Sequence, residues 1–115
     1  MIKETKEIFS ELSIDQLIEV GIRAIYETVK STGDDWAKQW IMWADKWLSG
    51  EDKTEITAHR MYYAITYTRK TIGKVAYRIT FAAYFQSMNS AIYAIADVFA
   101  NGFDILPIID EVKKG

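Results

Sequence analysis

From Asp52 to Ala100 the chain contains no proline and keeps the three-four periodicity of a helix throughout. At 1.5 Å per residue, one unbroken helix of that length would be about 70 Å long. That is far beyond the span of a domain built from 115 residues. The segment must therefore fold back on itself, and each break creates a helix–helix interface. Gly73 and the polar run QSMNS at 86–90 are the expected break points, because glycine and short polar side chains hold a helix least well.

The rest of the chain is punctuated in the same way. Ile2 to Leu12 reads as a short first helix, and Ser13-x-x-Gln16 is a capping box that opens a second, running to Lys30. STGDD forms a turn, after which Asp34 or Asp35 caps a third helix that ends at Ser49-Gly50. Asp52-x-x-Glu55 is the expected N-cap of the long helical region, Asn101-Gly102 its end, and Pro107 precedes a short tail from Ile108 to Lys114. No stretch alternates apolar and polar residues between turn signals, so strands have no support. The expected fold is all-α: residues 1–115 as a single helical domain, a bundle of about five helices with a short C-terminal tail.

Half of the residues are hydrophobic, enough to bury one core and too many for a disordered chain. Cysteine is absent, which leaves no disulfide framework or thiolate zinc site and points to a reducing, cytoplasmic setting. Charges interrupt the apolar residues that follow Met1, so no secretory leader is expected there. Ile79 to Ala96 carries no charge, but it is marginal in length for a bilayer and places Gln86, Ser87, Asn89 and Ser90 at its middle. A helix covered by other helices explains the run better than a membrane span.

All four tryptophans, Trp36, Trp40, Trp43 and Trp47, lie on one helical stripe. Each can bury on the order of 200 Å², so the stripe is read as core. Trp40 is expected deepest, Trp47 next, and Trp43 is expected to keep an exposed edge. Two further stripes run along the region after Asp52. Met61, Ile65, Thr68, Ile72, Val75, Ile79 and Ala82 form an apolar core line. Arg60, Tyr63, Tyr67, Lys70, Lys74, Tyr77, Phe81 and Tyr84 mix rings with cations and suit a half-exposed rim.

Charge is placed unevenly. Residues 1–52 carry six basic and eleven acidic side chains, whereas Lys53 to Arg78 carries six basic residues against Glu55 alone. The chain as a whole has a net charge of -2, so a long nucleic acid is not the expected partner. A small anion, an acidic protein surface or simply a solvated face fits the local patch better.

Groups for catalysis are sparse. His59 is the only histidine; Glu55 stands one turn before it, but a single such pair is not a metal or peptidase motif. Asp34-Asp35 suits a helix cap, and the six glycines are scattered, so no phosphate loop exists. No catalytic residue, cofactor or metal is expected, and the chain is not expected to be an enzyme.

The segment WADKWLSGEDKT, followed by Ala58, Ala64, Ala76, Ala82, Ala83, Ala91, Ala94 and Ala96 set among tyrosines, resembles the small all-helical immunity proteins of phages and bacteria. In those, a W-x-x-G-E-type turn precedes alanine- and tyrosine-rich helices. The resemblance runs from about Trp43 to Phe99 and carries no residue roles with it. It implies a non-enzymatic, phage-borne protein that neutralises a toxin or a defence effector.

Two functions follow as expectations. The first is a binding protein whose aromatic-basic face, comprising Arg60, Tyr63, Tyr67, Lys70, Lys74, Tyr77 and Arg78, docks on a protein effector or toxin. The alternative is a sponge for a small anionic nucleotide, its phosphates met by the cations and its base stacked on a tyrosine. A chain this small and apolar is also expected to form a homo-oligomer.

Overall fold

The computed structural model describes residue 7 and residues 9–115. Three of its helices open on a side-chain cap, at Ser13, Thr54 and Ser87, whereas Asp34 stands at an N-cap position without a side-chain bond to the helix backbone. Ser13 Oγ accepts from the Gln16 amide at 3.1 Å while Gln16 Oε1 accepts from the Ser13 amide at 2.9 Å, the reciprocal pair of a capping box. It opens α1, Ile14–Ser31. Helix α2 is Asp35–Ser49, ended by Gly50 at φ 81°, a conformation that costs a side-chain-bearing residue energy. The remaining helices are α3 (Glu55–Ile65), α4 (Thr71–Phe85), α5 (Met88–Ala100) and α6 (Leu106–Lys114). The expected first helix, Ile2 to Leu12, lies largely outside the described residues; within them Glu7, Phe9 and Ser10 are helical.

The all-α expectation holds, with six helices among the described residues rather than about five. The C-terminal tail is itself a helix, with Pro107 in its first turn, where a missing amide costs nothing. Helix α3 begins later than expected. Thr54 is its cap, because Asp52 Oδ1 is occupied by the Thr54 amide (3.0 Å), the Thr54 hydroxyl (2.7 Å) and the Thr57 hydroxyl (3.2 Å).

The break near 86–90 occurs as expected: Gln86 adopts φ 49° and Ser87 caps α5. The break expected at Gly73 does not. The chain turns at 66–70 instead, where the Thr66 hydroxyl donates to the Tyr62 carbonyl at 2.7 Å. Gly73 is buried inside α4, and a Cβ there would collide with the Thr68 side chain of that turn. Its glycine serves a close approach of the turn to the helix, not a break in the helix.

Helix α1 is the hub of the packing, touching α2, α4, α5 and α6, whereas α3 packs on α2 and α4. Gly21 makes the hub possible: a Cβ there would press against Ile79 of α4 and Ile95 of α5, each at 3.1 Å. The buried side chains form one cluster that includes Leu17, Ile25, Trp40, Ile65, Ile79, Ile95 and Ile109. The longest dimension is 37 Å, half of what an unbroken rod would need. No described helix is long and apolar enough to cross a membrane; the uncharged run 79–96 is divided between α4 and α5, whose inner faces are buried.

Trp40 is fully buried and its indole N–H donates to the Ala76 carbonyl of α4 at 3.3 Å. Trp47 is 2% exposed, so the expected order holds for these two. The expectation for Trp43 does not hold. It is only 6% exposed because α3 lies beside it, while Trp36, at the first turn of α2, is the half-buried one and donates to Asp34 Oδ2 at 3.1 Å.

Candidate functional site

Helices α3 and α4 form an antiparallel hairpin whose outer face is covered in rings. On α3, His59, Tyr62 and Tyr63 share one side because they are three and four residues apart. On α4 the same rule aligns Tyr77, Phe81, Tyr84 and Phe85. Folding back at 66–70 brings the two rows together. Tyr62 sits at the centre, with ring centroids 5.6 Å from Tyr77, 6.0 Å from Phe81 and 5.5 Å from Tyr84. His59 lies 4.8 Å from Tyr84 and 5.0 Å from Tyr63, and Phe85 packs on Phe81 at 4.3 Å. Several pairs are tilted or edge-on, the arrangement ring quadrupoles favour. Burial among these rings, with the neighbouring tyrosines adding to it, pushes the Tyr62 phenol above its ordinary pKa.

The cluster is wide open to solvent on its outer side. Tyr63 is 58% and Phe85 51% exposed, while Tyr62, Tyr77, Phe81 and Tyr84 are half-buried. Rings locked by one another yet exposed are a rigid apolar surface.

The residues expected to bind do not share one surface. Tyr63 and Tyr77 belong to the ring cluster. Lys74, Tyr77 and Arg78 line one groove of about 420 Å³ together with Thr66, Thr68 and Phe81. Arg78 also approaches Asp97 (3.5 Å) and stacks over Tyr93 of α5 (4.8 Å). Tyr67 stands on the turn, 84% exposed. Lys70 is engaged elsewhere: its ammonium donates to Asp34 Oδ2 at 2.6 Å and holds that carboxyl below the usual range. Arg60 faces the other side of α3, in a groove against α2. The single stripe drawn from the sequence is thus divided by the turn.

His59, Tyr62 and Phe85 are the cluster members that the stripe omitted. On one continuous helix Tyr62 falls off the line through Tyr63 and Tyr67. Only a hairpin turns it toward α4, and the adjacent pair Tyr62-Tyr63 was the available signal, because one of two neighbouring rings must leave the rim. Among the described residues no three His, Asp or Glu side chains gather as a metal-binding group. No protein-family model, curated protein or solved structure matches this chain.

Proposed function

We propose that the chain is a non-enzymatic binding protein of the immunity or counter-defence type, which neutralises a toxin or defence effector by holding it on the aromatic face of the α3–α4 hairpin. The observation that carries this reading is the ring cluster itself. Tyr62, Tyr63, Tyr77, Tyr84 and Phe85 are fixed by mutual packing before any partner arrives, so little side-chain entropy remains to be lost on binding. Aromatic side chains dominate interface hot spots. Lys74 and Arg78 share a groove with Tyr77 and Phe81 and so add positive charge beside the rings, which favours an acidic partner surface. The exposed aromatic face also suits self-association, and the cysteine-free composition suits the cytoplasm.

The test has two stages. A partner captured from host cells is first assayed for its own activity, which a stoichiometric amount of this protein should abolish. Tyr63→Ala with Phe85→Ala should then weaken binding by roughly a hundredfold, about 2.7 kcal/mol, while the protein stays folded and melts only modestly lower. Full partner activity in the complex, or unchanged affinity in the double variant, removes the reading. Mass measurement in solution decides the homo-oligomer separately.

A second reading is supported by the groove that joins Lys74 and Arg78 to Tyr77 and Phe81. Its volume falls within the range of small-ligand sites, and cations beside rings suit a nucleotide's phosphate and base. Under this reading the protein sequesters a nucleotide messenger without turnover. A nucleotide present at about 100 times its dissociation constant should raise stability by roughly 2.7 kcal/mol. A flat response across cyclic and ADP-ribose-type nucleotides removes it.

A further inference from the structure

On the side of α3 away from the ring cluster, α2 and α3 enclose a groove of about 260 Å³. Trp43 lies in its wall, and the Trp43 indole N–H is buried without any hydrogen-bond partner. Its neighbours on the same helix are provided for: Trp36 donates to Asp34 and Trp40 to Ala76. A buried donor with nothing to donate to is costly and uncommon.

The charges around the groove do not cancel. Asp52 accepts from Thr54 and Thr57, and its carboxyl is held below the usual range by those bonds first, with Lys46 adding to the effect. Lys46 and Asp52 thus offset one another. Arg60, exposed and without an ion pair among the described residues, is left as the unmatched charge. Between these polar groups the wall is apolar, formed by Met42, the Trp43 ring and Met61.

One positive charge, one unused donor and an apolar wall define a guest with complementary parts. We propose that the α2–α3 groove binds a small monocarboxylate with an apolar tail. The carboxylate accepts from the Arg60 guanidinium and the Trp43 indole N–H, and the tail lies along Met42 and Met61. At about 30 Å³ per water-sized volume, the space suits a guest of roughly nine non-hydrogen atoms. The Trp43 indole nitrogen is closed to solvent, so an acceptor reaches it only when a lining side chain gives way; Met42, exposed and unbranched, is the side chain best able to do so. The site is separate from the hairpin face and does not depend on what that face binds.

Hexanoate is a suitable probe, with hexanol as its uncharged counterpart. In the nitrogen-labelled protein, the indole resonance of Trp43 is assigned by its loss in Trp43→Phe, which keeps an aromatic ring in the wall. Hexanoate should shift that resonance downfield and saturate, and hexanol should not. Arg60→Gln, an exposed change that leaves folding intact, should weaken hexanoate binding roughly tenfold or more, whereas Tyr63→Ala should leave it unchanged. Absence of a saturable shift into the millimolar range overturns the proposal. Equal binding of hexanoate and hexanol, or unchanged affinity in Arg60→Gln, does the same.

Discussion

Helix α2 and the α3–α4 hairpin both carry aromatic side chains at three-four spacing, and they end in opposite environments. The tryptophans of α2 are covered from two sides by α1 and α3, with Trp40 reaching α4 as well. The rings of the hairpin are covered from one side only, by each other. The difference lies in position relative to α1. Helix α2 packs on this hub, while α3 is held at the periphery by α2 and α4. Periodicity selects a face of a helix, but burial of that face depends on whether another element lies across it. The same tyrosine that would be core on α2 becomes available surface on α3.

The contrast can be broken most directly by truncation. Trp40→Ala should destabilise the protein by about 3–5 kcal/mol, whereas Tyr67→Ala should cost less than about 0.5 kcal/mol. Denaturant melts of the two variants check this, and comparable losses would erase the distinction between a core stripe and an open face. Next in size is Gly73→Ala, expected to cost about 1–3 kcal/mol because the added methyl meets the Thr68 side chain across the turn. Combining it with Thr68→Gly should recover part of that loss, with a coupling of about 1 kcal/mol in a double-mutant cycle. Simple additivity would mean that the turn does not press on α4.

Tyr62→Ala comes third. Its ring packs against four tyrosine and phenylalanine rings and His59, yet it is only half-buried, so the expected loss is about 1–2 kcal/mol. A loss as large as that of Trp40→Ala would make the hairpin face a core and not a surface.

The smallest effect concerns the link between the two regions, the Lys70–Asp34 pair. The folded-state pKa of Asp34 is depressed, first by the hydrogen bond from Lys70. The stabilisation is therefore present above the unfolded carboxylate value of about 3.9 and is lost as pH falls through the folded value. Lys70→Met should melt slightly below the parent protein at pH 7, and the gap should close at about pH 2. A gap that persists in acid would show that Lys70 stabilises the turn by something other than charge.

Tyr26 illustrates how much of the helix contact pattern escaped the sequence. Its hydroxyl donates to Asp45 at 2.6 Å, tying α1 to α2, and that bond holds the phenol above its ordinary pKa. Nothing in the spacing of residues nineteen apart announces such a pair. The capping box at Ser13 and Gln16, the glycine stop at Gly50 and the break at Gln86-Ser87 were legible. Each depends on groups within a few residues of one another. The orphan N–H of Trp43 was not legible, because it depends on α3 closing over α2 without offering an acceptor.

What the sequence by itself determined is therefore the local part: an all-helical chain, most of the caps, and the placement of four indoles on one face with Trp40 deepest. The tertiary structure decided where the region from Asp52 to Ala100 folds, that Gly73 allows contact instead of a break, and which aromatic stripe is covered. The physical reason is range. A helix end is settled by hydrogen bonds between residues three or four apart, which a sequence displays directly. Burial is settled by which distant helix lies across a face, and for this chain that depended on α1 taking the centre and leaving α3 outside.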